Sequence, residues 1–124
     1  MTQKEAGLLV EVQQYIHTNL HRPIPVASIC REFHVNKTKL QGQFREILGL
    51  SLHAFMLRAR MEKASTLLRE SDHPVKYIAW ECGYRKVRSF NKAFKNHWQL
   101  SPDRYRRSDR MTESNTDAAK SHTR

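Results

Sequence analysis

Residues 78–95 read Ile78-Ala79-Trp80-Glu81-Cys82-Gly83-Tyr84-Arg85-Lys86-Val87-Arg88-Ser89-Phe90-Asn91-Lys92-Ala93-Phe94-Lys95. Residues 29–45 read Ile29-Cys30-Arg31-Glu32-Phe33-His34-Val35-Asn36-Lys37-Thr38-Lys39-Leu40-Gln41-Gly42-Gln43-Phe44-Arg45. One pattern thus occurs twice, about fifty positions apart. In each copy a short helix-forming run reaches a tight turn. A second helix follows, with apolar residues four apart: Leu40 and Phe44 in one copy, Phe90 and Phe94 in the other. That arrangement predicts a helix-turn-helix.

The flanking sequence supplies the rest of an all-α chain of about seven helices. Leu8, Leu9, Val12, Ile16 and Leu20 share one face of an opening helix near Thr2 to Leu20. Pro23 and Pro25 interrupt it, and a second helix is expected from about Val26 to Phe33. His34 stands where the second copy has Gly83, a turn position that calls for a positive φ. Asn36 is a natural N-cap for a third helix from Lys37 to about Leu48.

Gly49 can stop that helix, and Ser51 can cap a longer one to about Arg69. The fifth and sixth helices follow, at about Val75–Cys82 and Lys86–Trp98. Ser101-Pro102 opens a short closing helix through Tyr105. From Ser108 onward the chain is polar, and its composition predicts disorder. The expected organisation is an N-terminal helix-turn-helix subdomain over 1–50, a linker helix over 51–70, a C-terminal helix-turn-helix subdomain over 71–107 and a tail over 108–124.

Composition narrows the partner. The chain of 124 residues carries 22 Lys and Arg against 12 Asp and Glu, a formal net charge of +10 that favours a polyanion. Placement of the polar residues then favours sequence-specific reading of duplex DNA, with a nonspecific architectural nucleic-acid binder, or a module docking RNA polymerase without independent DNA binding, as the alternatives. Opposite its apolar stripe the third helix presents Thr38, Gln41, Gly42 and Arg45, and the sixth presents Arg88, Asn91, Lys92 and Lys95. The two sets correspond position by position. Arg pairs with guanine in the major groove, Asn and Gln with adenine, and the Thr methyl meets thymine. Lys37, Lys39, Arg85 and Lys86 lie near helix N-termini, where backbone N–H groups already favour phosphate.

A connecting helix of roughly 17 residues is about 25 Å long, whereas successive major-groove faces lie about 34 Å apart. Helix diameters can supply the difference. Otherwise the DNA bends toward the protein, at about 1–6 kcal/mol.

These residues resemble the DNA-binding domain of the AraC/XylS family of bacterial transcription regulators. Arg60-Met61-Glu62-Lys63-Ala64-Ser65-Thr66-Leu67-Leu68 is similar to the family's linker-helix pattern. Ile78-Ala79, Gly83-Tyr84, Phe90, Lys92, Phe94-Lys95, Ser101-Pro102 and Tyr105-Arg106 match its second-unit signature. The likeness covers about Val12 to Arg107. It implies two helix-turn-helix units on a long helix, sequence-specific binding of double-stranded promoter DNA, and activation through RNA polymerase. Many members carry a further effector-binding or dimerisation domain. The chain is therefore expected to be either a stand-alone member or the C-terminal domain of a larger regulator, with an effector ligand only in the second case.

This sequence departs from the family pattern at four positions. His34 replaces a turn glycine, and Gln99 stands where a glycine often ends the sixth helix. Lys86 holds a position often taken by a capping Ser, and its charge opposes the helix dipole unless a phosphate is near. Gly42, in mid-helix, costs about 1 kcal/mol against Ala and offers no side chain to a base.

Other constellations read as structural. Cys30 and Cys82 fit no zinc or C-x-x-C pattern, and Cys30 is expected as a small core residue. His17 and His21 are four apart but lack a third ligand, so a solvated helix end is expected and no metal or cofactor is assigned. Trp80 and Trp98 are expected to be partly buried against neighbouring helices, and Phe33, Phe44, Phe55, Phe90 and Phe94 to be core. No nucleophile triad, phosphate loop or carboxylate pair stands out, so no enzyme is expected. No apolar run approaches the ~20 residues that span a bilayer, and no signal peptide is evident, which predicts a cytoplasmic, nucleoid-associated protein.

Overall fold

The computed structural model describes residues 2–110, which form helices with no strand among the described residues. In chain order these are α1 (Gln3–Thr18), α2 (Val26–Phe33), α3 (Lys37–Leu48), α4 (Leu52–Glu70), α5 (Val75–Glu81) and α6 (Val87–Trp98), followed by α7 at 102–110. No helix among the described residues is long and apolar enough to cross a membrane.

Local chemistry explains most of the starts. Thr2 accepts from the Glu5 amide at 3.1 Å, and the Glu5 carboxylate accepts from the Thr2 amide at 3.2 Å, closing a capping box on α1. The Asn36 carboxamide oxygen accepts from the Lys39 amide at 2.8 Å to start α3. Ser51 accepts from the Ala54 amide at 3.0 Å to start α4, and Ser101 from the Arg104 amide at 3.3 Å to start α7. α2, α5 and α6 start without a side-chain capping bond, and of these only α6 has a charged residue, Lys86, at the N-cap in place of a proline.

Among the described residues, four take left-handed backbone geometry: His34 (φ 53°), Gly49 (φ 75°), Gly83 (φ 87°) and Gln99 (φ 70°). They fall at the same two places in each copy, the turn before the second helix and the end of that helix. Each copy uses glycine at one place and a bulkier residue at the other. The geometry repeats although the residue does not, so packing enforces it at His34 and Gln99 against about 1–2 kcal/mol of steric cost.

The chain divides into two compact units, one ending at Arg60 and the other beginning at Met61, so the division falls inside α4. The first unit buries Leu9, Val12, Ile16, Ile29, Leu40, Phe44, Leu52 and Phe55, with Phe44 edge-on to Phe55 at 5.5 Å. The second buries Met61, Ala64, Leu68, Ile78, Ala79, Cys82, Phe90 and Phe94, with Phe94 edge-on to Tyr105 at 5.3 Å. α4 serves both by changing register: Leu52, Phe55, Met56 and Ala59 belong to the first core, and Met61, Ala64 and Leu68 to the second.

Long-range donors complete each unit, and all but one of them satisfy loop or helix-end carbonyls. Arg60 donates to the carbonyls of Leu20 and Arg22. Lys63 donates to the Glu81 carbonyl at 2.7 Å, at the end of α5, and the Trp98 indole N–H donates to the Met61 carbonyl at 3.1 Å. Arg106 donates to the carbonyls of Leu68 at 3.0 Å and His73 at 2.7 Å.

Some sequence expectations need correction. The closing helix does not stop at Tyr105, nor does order end at Ser108; α7 runs on to residue 110. One helical turn beyond Arg106, Arg110 pairs with Asp72 and donates to the Ser71 carbonyl, which holds the last turn against the loop after α4. The rest of the expected tail, 111–124, lies outside the described residues. Cys30 and Phe33 are half-buried rather than core; Phe33 lies at the rim, edge-on to Tyr15 at 5.6 Å. His17, by contrast, is exposed as expected of a solvated helix end, and stands edge-on to Phe55 at 5.7 Å.

Replacing Phe44 or Phe94 by Ala is expected to cost about 3–5 kcal/mol in urea unfolding. His34→Gly and Gln99→Gly are each expected to gain about 1 kcal/mol by relieving the positive φ. A loss on either glycine substitution would mean that those side chains do more than tolerate the turn.

Candidate nucleic-acid interface

In the first unit, complete burial of Leu40 and Phe44 leaves the opposite side of α3 in water. Thr38, Gln41, Gly42 and Arg45 are all exposed, as are Lys37 and Lys39 in the first turn. In the second unit Phe90 and Phe94 play the same part. Arg88, Asn91, Lys92 and Lys95 are exposed along α6, and Arg85 and Lys86 are exposed just ahead of it.

The two helices present this face in the same register. Residue by residue, 41–50 and 91–100 run through the same sequence of exposed, half-buried and buried positions. Both helices are 12 residues long. The turns before them differ by one residue: His34-Val35-Asn36 leads into α3, and Gly83-Tyr84-Arg85-Lys86 into α6. The extra residue places two cations, rather than a capping Asn, directly before α6.

Electrostatically, the face is open. Among the described residues, none of the Lys and Arg side chains of this set forms an ion pair with a carboxylate. The uncapped first turn of α6 leaves its amides without a side-chain acceptor, while Lys86 puts a positive charge at the positive end of the helix dipole. A phosphate there would satisfy the amides and the ammonium together. Chemically, the two faces offer bidentate hydrogen-bonding groups at their centres and cations at their edges. This suits base edges flanked by phosphates.

The two tryptophans part company. Trp98 is half-buried, as its sequence context suggests, and its N–H is engaged by Met61. Trp80 is 61% exposed, contrary to the expectation of partial burial. Ile78, Ala79 and Cys82 take the buried side of α5, which turns Trp80 outward together with Lys76 and Tyr77. These side chains, with Tyr84, Arg85 and Val87, line a shallow aromatic groove beside the start of α6. Sequence reasoning missed this surface, although the buried spacing at 78, 79 and 82 already pointed position 80 away from the core.

Within that surface, the Glu81 carboxylate raises the ionisation of Tyr77 above its ordinary value of 10.0, because a neighbouring negative charge opposes formation of phenolate; partial burial and a hydrogen bond to Glu81 act in the same direction.

A family model described as a helix-turn-helix domain matches residues 29–108. The multiple antibiotic resistance protein MarA of Escherichia coli (strain K12) is 26% identical over 110 residues, covering 89% of this chain and 87% of MarA. The probable transcriptional regulator LumQ of Photobacterium leiognathi is 29% identical over 97 residues, covering 78% of this chain. The chain spans only 39% of LumQ, against most of MarA. Among solved structures, the C-terminal domain of AraT, a response regulator from Geobacillus stearothermophilus, is similar with a TM-score of 0.78 at 29% identity, over 82% of this chain and 84% of that one. The DNA-binding domain of AdpA, a global transcriptional factor solved in complex with a target DNA, has a TM-score of 0.79 at 25% identity, over 84% of this chain and 94% of that one.

Glu81→Gln is expected to bring the Tyr77 ionisation back down toward 10.0, read from tyrosinate absorbance with Tyr77→Phe identifying the signal. An unchanged titration would place some other negative group beside that ring.

Proposed function

The chain belongs to the AraC/XylS-type helix-turn-helix family of DNA-binding transcription regulators, and from that premise we propose that it reads promoter DNA with α3 and α6. Each helix enters a major-groove segment, and the two segments are successive on one duplex. Thr38, Gln41, Arg45, Arg88, Asn91 and Lys92 meet base edges. Lys37, Lys39, Arg85, Lys86 and Lys95 meet phosphates. The protein is a binding module rather than an enzyme, and it acts at the nucleoid in the cytoplasm.

The observation that carries this reading is the repeated exposure pattern of α3 and α6, with hydrogen-bonding or basic side chains at the same offsets. A nonspecific architectural binder needs only scattered cations for phosphate contact. It has no use for Asn and Gln at matching central positions of two helices. Selection of preferred sites from a random duplex pool tests the proposal. A motif extending over about two helical turns is expected; one confined to a single turn would leave only one unit reading bases.

A second contact is favoured by a separate feature. Trp80 and Tyr77, at 61% and 41% exposure, form an aromatic patch rimmed by Lys76 and Arg85, and exposed patches of this composition mark protein interfaces. The reading that fits is a docking surface for an acidic part of RNA polymerase, which makes the regulator an activator. Trp80→Ala is expected to preserve DNA affinity while lowering transcription in a reconstituted system. Equal loss of both would assign Trp80 to the DNA instead.

Arg88→Ala or Asn91→Ala is expected to relax base preference at one position and to cost about 1–3 kcal/mol. Lys95→Ala should weaken every sequence alike and reduce the salt dependence of binding by about one charge. If Arg88→Ala left the preferred sequence unchanged, α6 would not be a base-reading helix.

A further inference from the structure

Gly42 lies in the interior of α3, where glycine is the poorest helix former after proline. Two internal reasons for keeping it are absent. Its φ is not among the positive ones, so the backbone does not require glycine. A Cβ built on it meets nothing within 4 Å, so packing does not require it either. Neither backbone strain nor packing accounts for it, as neither does for Gly7 of α1; what sets Gly42 apart is the body its face would meet outside the protein.

The surroundings of Gly42 indicate what that external body is. It is exposed, one residue after Gln41, four after Thr38 and three before Arg45, at the centre of the face assigned above to base reading. The equivalent position in α6 is Lys92, a long cation. A glycine on such a face lets a ligand come close to the backbone.

We infer that Gly42 is a close-approach point: the base-pair edges on the major-groove floor come up against the α3 backbone, and the missing Cβ lets Gln41 and Arg45 reach them. This rests on the reading of α3 as a recognition helix. Gly42 is then a specificity-determining residue through its lack of a side chain. The two units also engage DNA differently, α3 by close backbone approach and α6 through longer side chains.

The test uses the full chain and the duplex site selected from a random pool. Gly42→Ala and Gly7→Ala make the same change at two exposed helical glycines with open space around them. Each is expected to raise Tm by roughly 4–8 °C through helix propensity. Gly7→Ala should leave DNA affinity unchanged. Gly42→Ala should lower it roughly tenfold, because displacing the helix loosens the contacts of its neighbours. Gly42→Lys should also weaken binding, although it adds a positive charge facing a polyanion.

The inference is overturned if Gly42→Ala binds like the parent, if Gly42→Lys binds more tightly, or if Gly42→Ala lowers Tm. Gln41→Ala and Arg45→Ala separate this inference from the reading beneath it. If they weaken binding and Gly42→Ala does not, only the close approach fails. If neither weakens binding, α3 is not a recognition helix.

Discussion

Leu40 with Phe44, and Phe90 with Phe94, are wholly withdrawn from water. A helix that turns such an i, i+4 pair inward has little freedom over what its other face displays. Burying one phenyl ring contributes about 1.5–3 kcal/mol, more than the polar residues opposite could gain by turning in. Thr38, Gln41 and Arg45, and likewise Arg88, Asn91 and Lys95, are therefore outward because of the rings beneath them. In this protein the proposed recognition surface is the reverse side of the core.

Cores this small leave many chain ends to be satisfied, and the protein uses basic residues for that purpose. Arg60, Lys63, Arg106 and Arg110 donate to main-chain carbonyls at loops and helix ends. Carbonyls at helix C-termini carry partial negative charge, so a cation there is held by both the hydrogen bond and the dipole. The positive charge of the chain thus has two uses. Part of it closes the fold within each unit, and part stands on α3 and α6 with no carboxylate beside it among the described residues. Net charge does not separate the two groups; hydrogen-bond partners do.

Much of this was legible in one dimension because its causes are local. The caps at Asn36, Ser51 and Ser101 and the uncapped start of α6 each depend on a few consecutive residues. The stripes of α3 and α6 follow from helical period alone, and so does the exposure of every residue proposed to touch DNA. The misreadings arose where the cause was distant. By residue type Trp80 reads as partly buried against a neighbouring helix, whereas its place on α5 opposite Ile78 and Cys82 turns it into solvent. The turn of α7 at 108–110 looked like the start of a polar tail because nothing adjacent supports it. Its support is Asp72 and the Ser71 carbonyl, nearly forty residues earlier in the chain.

The order of residues by itself determined the duplicated helix-turn-helix, the all-α class and the polar sets on α3 and α6, since helical periodicity, capping and turn geometry act over one to four positions. Tertiary structure alone decided how α4 divides its apolar residues between two cores, which carbonyls Arg60 and Arg106 hold, that α7 continues past Tyr105 and that the aromatic patch around Trp80 faces water. Each of those depends on a contact between residues far apart in sequence. Such contacts are set by packing volume and by unsatisfied main-chain groups, quantities that exist only once the chain has closed on itself.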